Sequence, residues 1–130
     1  MSLTNLYLDI DGVLLGKHAG HIALAKGAEE FLDFVVTHFD CYWLTTHCQG
    51  DAETAKARLK PYLGATAYRL LAGIKPTRFN VLKTDVLPRD KPFFWVEDRP
   101  MASEVLFLKE NDLLRSWLKV DTYKNEDDLV

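Results

Sequence analysis

Apolar positions along the chain follow two rhythms. Short unbroken apolar runs, the mark of strands buried on both faces, alternate with stretches that carry helical spacing. Leu3 to Asp9 is apolar apart from Thr4 and Asn5 and ends in an acid, which predicts a buried first strand. Gly12 to Gly20 contains three glycines and predicts a loop. Phe31, Leu32, Val35, Val36 and Phe39 predict a helix over about residues 26–38. Cys41-Tyr42-Trp43-Leu44 predicts a second strand that ends at Thr45-Thr46. Gly50-Asp51 opens an Ala/Glu/Lys-rich helix with Asp51 as its cap, Leu59 and Tyr62 facing inward and Pro61 near its end.

Between residues 64 and 92 the pattern is weakest, and the best match is a helix over Arg78–Val86, diluted by Thr and Asn. Phe93-Phe94-Trp95-Val96 predicts a third strand, again running into acid. Pro100 suits the first turn of a following helix, and Trp117-Leu118-Lys119-Val120 predicts a fourth strand. Strands alternating with helices predict an α/β fold around a parallel sheet, with residues 1–130 as one domain.

Composition narrows the class. The chain is 48% hydrophobic and 12% aromatic, enough for a packed core, and its net charge of -3 disfavours a broad electrostatic nucleic-acid surface. Cys41 and Cys48 do not make a secreted-type disulfide framework. Met1-Ser2-Leu3-Thr4-Asn5 lacks a leader's basic-then-apolar pattern, and no apolar run approaches the ~20 residues that span a bilayer. These features predict a cytoplasmic protein with no membrane partner.

The candidate chemistry lies in acids. Two buried strands run into carboxylates: Asp9 and Asp11 after the first, Glu97 and Asp98 after the third. Ligands of open parallel sheets bind beyond the carboxyl ends of the strands. If the two strands are neighbours, four acids converge there and repel one another unless a cation joins them, with Mg²⁺ the natural hard partner for oxygen donors. In Asp-x-Asp, the first carboxylate can attack phosphorus, and the second can protonate the leaving oxygen and then activate water. Gly12 allows a tight exit near a phosphate, Thr45 offers a hydroxyl and an N–H to a phosphoryl oxygen, and a lysine would neutralise the charge that develops in transfer.

Asp9-Ile10-Asp11-Gly12-Val13 resembles the first motif of haloacid dehalogenase phosphatases. Trp43-Leu44-Thr45 resembles their second motif, Lys83 the third-motif lysine, and Val96-Glu97-Asp98 the fourth, acidic motif. Lys83-Thr84 with Glu97-Asp98-Arg99-Pro100 resembles the deoxyribonucleotidase-like branch, and Trp43-Leu44-Thr45-Thr46 resembles small capless members associated with RNA repair. The resemblance implies a three-layer Rossmann-like fold without a substantial cap domain. It implies Asp9 as nucleophile and metal ligand, and Asp11 as general acid/base with its backbone carbonyl on the metal. It implies Thr45 on phosphate, Lys83 on phosphate and Asp9, and Asp98 on Mg²⁺, with Glu97 reaching the metal directly or at one remove. Substrate would be a phosphorylated small molecule or a macromolecule end, nucleotides and nucleic-acid ends included, and a partner chain would be one way to close the open site.

Plainer readings compete at several positions. A calcium loop counted from Asp9 needs Glu at its twelfth position, where Gly20 stands. Thr46 competes with Thr45, which is preferred because it directly follows the apolar run. Lys75, before Pro76, competes with Lys83. Glu97 and Asp98 would also serve as caps of the next helix. His18, His21, His38 and His47 have no zinc spacing, even with Cys48 beside His47. His47 lies close enough to Thr45 to meet substrate, His18 and His21 to gate the site, and Arg99 to pair with the acids. Trp43, Trp95 and Trp117 read as core. A phosphate-binding regulatory protein with little turnover is the alternative function. A receiver-like signalling domain ranks below it, because acid pairs here follow two strands.

Overall fold

The computed structural model describes residues 3–130; Met1 and Ser2, the first residues of the stretch that lacks a leader pattern, lie outside it. Among the described residues, seven strands form: β1 (Asn5–Leu8), β2 (Leu15–His18), β3 (His21–Leu24), β4 (Asp40–Trp43), β5 (Ile74–Lys75), β6 (Phe93–Glu97) and β7 (Trp117–Lys119). Four helices accompany them: α1 (Ala28–His38), α2 (Glu53–Leu59), α3 (Ala65–Leu70) and α4 (Ala102–Glu110). The main sheet is wholly parallel, in the order β5-β4-β1-β6-β7.

Side chains of the central strands alternate between two cores. Leu6, Leu8, Cys41, Trp43 and Val96 pack with Leu32 and Val35 of α1 and with Ala55 and Leu59 of α2. Tyr7, Leu44, Phe93 and Trp95 pack on the opposite side with Leu108 of α4. Helices thus cover both faces, and every residue of β1 is buried, which explains its unbroken apolar run. Trp43 and Trp95 are core residues as expected, while the Trp117 indole donates to the Glu97 carbonyl at 3.0 Å from the neighbouring strand.

Three segments differ from the sequence-based prediction. The predicted loop over Gly12–Gly20 contains half of an antiparallel hairpin, β2 with β3. Its two tip residues, Ala19 (φ 51) and Gly20 (φ 81), both adopt the left-handed backbone that a tight two-residue turn needs. The predicted helix over Arg78–Val86 does not form, and only a short 3₁₀ turn, Lys83–Asp85, appears there. Its backbone is drawn elsewhere: the Phe79 N–H donates to the Gln49 side chain at 3.0 Å, and the Thr77 carbonyl accepts from Gly50 at 2.8 Å. In place of that helix, α3 and the two-residue edge strand β5 form upstream, ending before Pro76, which disfavours helix at the residue before it. The N-cap position of α2 falls on Ala52 rather than on the expected Asp51, which lies one residue earlier and accepts the Glu53 N–H at 2.7 Å.

Candidate functional site

β1 and β6 are neighbours in register, Leu8 beside Val96, so their following residues meet at one end of the sheet. There, carboxylate oxygens of Asp9, Glu97 and Asp98 all lie within 4.8 Å of one another. Asp9 and Glu97 are buried. The close approach of Asp98 depends on Gly12, where φ is +80 and a Cβ would collide with the Asp98 carboxylate.

Lys83 reaches into this cluster. Its ammonium donates to Asp9 Oδ2 at 3.1 Å and to Glu97 Oε2 at 2.7 Å. The other Asp9 oxygen, Oδ1, accepts the Ile10 N–H at 2.8 Å. Burial pulls the Lys83 ammonium down, but Asp9 and Glu97 outweigh it and hold the proton above its ordinary range. Burial and then Asp9 push the Glu97 carboxyl well above its usual value. Lys75 is not part of this site. It pairs with Asp40 at 2.8 Å, at the amino end of β4 and away from the acids.

Glu104 holds the Lys83 turn in place. Its Oε2 accepts the Lys83 N–H at 2.6 Å and its Oε1 accepts the Met101 N–H at 2.8 Å, so one buried carboxylate ties the turn to the start of α4. Glu104→Gln keeps one acceptor oxygen and leaves the second N–H facing an amide donor. Denaturant unfolding is expected to show a loss of about 1–3 kcal/mol; a loss below about 0.5 kcal/mol would mean the turn is held by other contacts.

Thr45 continues β4 beside Asp9, since the Leu44 N–H donates to the Leu8 carbonyl at 2.9 Å. Thr45 is buried, and its hydroxyl oxygen accepts the His47 N–H at 3.3 Å. Thr46 is exposed on the turn.

Asp11 departs from the expected convergence of four acids. Its carboxylate lies outside the three-acid cluster and is held by two other side chains. His47 Nε2 is 2.7 Å from Oδ2, and the Arg58 guanidinium donates to Oδ1 through Nη2 at 2.9 Å and Nε at 3.3 Å. Burial raises the Asp11 carboxyl, but these two partners prevail and hold it below the usual range. Arg58 was not legible as a site residue, because on an Ala/Glu/Lys-rich helix it reads as one more solvated charge. Arg99 is exposed and, among the described residues, forms no ion pair with the acids. His18 and His21 sit opposite one another beside the hairpin tip, where His18 pairs with Glu126 at 3.2 Å. Cys48 is buried with its thiol toward the Thr77 carbonyl at 3.5 Å, so it makes no metal pair with His47.

The C-terminal segment adds a wall. The Thr122 N–H donates to the Gly12 carbonyl at 2.8 Å, and the Thr122 hydroxyl to the Val13 carbonyl at 3.1 Å. This strap sets half-buried Tyr123 near the acids. Burial raises its phenol first, and Asp11, Asp98 and Asp9 add to the rise against Arg58.

No family model matches the chain, and no curated protein or solved structure does either.

Asp9, Glu97 and Asp98 fit a divalent cation on their own chemistry. All three donors are carboxylate oxygens, which select hard ions over zinc or copper. Two are buried side by side, and burial first and the Asp9 charge second raise the Glu97 carboxyl, both of which a cation there would oppose.

Proposed function

We propose that the chain is a Mg²⁺-dependent phosphomonoesterase of the haloacid dehalogenase type, working through an aspartyl-phosphate on Asp9. The observation that carries this reading is the meeting of Asp9, Glu97, Asp98 and the Lys83 ammonium at the carboxyl ends of β1 and β6. Asp9, Thr45, Lys83, Glu97 and Asp98, far apart in sequence, lie at one end of the sheet, which supports the reading, while the Asp11 carboxylate is held by His47 and Arg58.

The chain's own groups would act in two steps. Asp9 attacks phosphorus in line, the bond from phosphorus to the ester oxygen breaks, and Asp11 gives that oxygen a proton. Water then attacks the aspartyl-phosphate, Asp11 takes its proton, and inorganic phosphate leaves with Asp9 restored. Lys83, the Thr45 hydroxyl and backbone N–H groups past Asp9 hold the phosphoryl oxygens. Mg²⁺ would be held by Asp9, Asp98 and the Asp11 carbonyl, with Glu97 direct or through water, and it would supply charge neutralisation between nucleophile and phosphate. Among the described residues, the segment between β1 and α1 is only the β2–β3 hairpin, which leaves the site open to a phosphorylated small molecule or macromolecule end.

Release of inorganic phosphate from a panel of phosphomonoesters tests this. Release that needs Mg²⁺ and stops with chelator is expected. Release that persists in chelator, or none from any substrate, would contradict it. The engagement of Asp11 by His47 and Arg58 favours a second reading, a phosphate-binding regulator with little turnover. It would appear in the same panel as thermal stabilisation by phosphate without release.

The raised Glu97 carboxyl makes stability depend on pH. A carboxyl raised in the folded state costs the metal-free fold stability as pH climbs from its ordinary value of 4.5 toward the raised one. Bound Mg²⁺ removes that cost. Added Mg²⁺ is therefore expected to raise the melting temperature more at about pH 8 than at about pH 6. An equal or smaller rise at the higher pH would count against cation binding in the cage.

A further inference from the structure

Arg58 and His47 both point at Asp11, the general acid of the proposed phosphatase reaction, and the role inferred for them rests on that reading of the site. A carboxylate gripped by a guanidinium and an imidazole has both oxygens engaged and lies outside the three-acid cluster. While Arg58 and His47 hold both of its oxygens, neither oxygen is free to meet a leaving group. For Asp11 to swing free, Arg58 and His47 need another anion. All three side chains keep access to solvent, with Asp11 35% exposed, Arg58 28% and His47 27%, so an incoming group can reach them. Tyr123, which follows the Thr122 strap, lies near Asp11 and Arg58, and the Lys17 ammonium sits over its ring at 5.2 Å.

We propose that Arg58 and His47 form a second-anion subsite. The preferred substrate carries, next to its scissile phosphate, another anionic group that takes the place of the Asp11 carboxylate and frees Asp11 for catalysis. Guanidinium forks favour phosphate and carboxylate alike, so the shared chemistry is a compact oxyanion linked to the leaving oxygen. The exchange costs little, because one charge-assisted pairing replaces another.

Binding to the Asp9→Asn protein with Mg²⁺ tests this without turnover. The ligands are propanediol monophosphate, propanediol bisphosphate and phosphoglycolate, so that a neutral tail, a second phosphate and a carboxylate are compared. Titration calorimetry is expected to show the bisphosphate, phosphoglycolate or both bound about tenfold more tightly than the monophosphate. Which of the two gains identifies the anion. Adding Arg58→Met should shrink that advantage to within about threefold, and His47→Gln should reduce it as well. Lys75→Met, far from the site, should leave it whole, which separates the subsite from general attraction of charge. Equal binding of all three ligands, no binding of any, or an advantage that survives both Arg58→Met and His47→Gln would overturn the proposal. Mg²⁺-dependent release of phosphate from the bisphosphate and from phosphoglycolate by the unsubstituted chain, measured alongside, reports on the phosphatase reading separately.

Discussion

Asp9→Asn is expected to reduce Mg²⁺-dependent phosphate release at least about a thousandfold, the scale seen when a covalent nucleophile is removed. Asparagine matches aspartate in shape, and its carbonyl oxygen can still accept the Ile10 N–H, but the amide cannot form the acyl-phosphate bond. The fold should survive. The substitution removes one of two buried carboxylates that repel each other, so the lost contact with Lys83 is offset by relief of Glu97. Circular dichroism should show a melting temperature within a few degrees of the parent, about 1 kcal/mol of stability. Retained turnover in a folded variant would remove Asp9 as the nucleophile.

Lys83→Met is expected to be the most damaging change to stability. Lys83 is the ion-pair partner of Asp9 and Glu97, and its side chain is only 14% exposed. Removing one member of a buried ion pair leaves uncompensated charge and costs about 3–5 kcal/mol, which proton uptake by Glu97 moves toward the lower end. Part of the loss should return with Mg²⁺, because a cation in the three-acid cluster neutralises the same carboxylates. Lys75→Met provides the contrast. Its partner Asp40 lies in a well-solvated setting, and exposed pairs contribute about 0–1 kcal/mol. Denaturant unfolding of both variants, with and without Mg²⁺, measures the difference. Similar small losses for the two would mean that Lys83 is an ordinary surface lysine.

The acid cluster was legible because its signals are strong and local. An unbroken apolar run that ends in carboxylates marks a buried strand aimed at a ligand edge, and Asp9 and Asp98 lie as that pattern predicts. The choice between lysines was not local. It turns on how the chain returns between β5 and β6, where Glu104 fixes the backbone of Lys83 from another helix. Glu104 itself is hidden because an acid in the first helical turn is common and usually solvated. Arg58 is hidden for a related reason, since charged positions on a helix do not reveal which of them faces a carboxylate 47 residues away.

The misread segments have physical causes too. The hairpin after Asp11 escaped notice because Ala19 adopts a left-handed backbone that its residue type disfavours, so no strong turn signal marks the tip. The helix expected over Arg78–Val86 loses to tertiary hydrogen bonds, the Phe79 N–H to the Gln49 side-chain oxygen and the Gly50 N–H to the Thr77 carbonyl, which a reading of periodicity cannot weigh.

Everything proposed for the chain requires a cation and a phosphoryl group to sit together on Asp9. A crystal structure of the chain with Mg²⁺ and trifluoroberyllate, a mimic of the phosphoryl group on a carboxylate, tests this directly. Beryllium bonded to an Asp9 oxygen, with Mg²⁺ held by Asp9 and Asp98 and a fluoride on the Lys83 ammonium, is the expected result. Beryllofluoride on any other side chain, or Mg²⁺ bound away from Asp9 and Asp98, would contradict it.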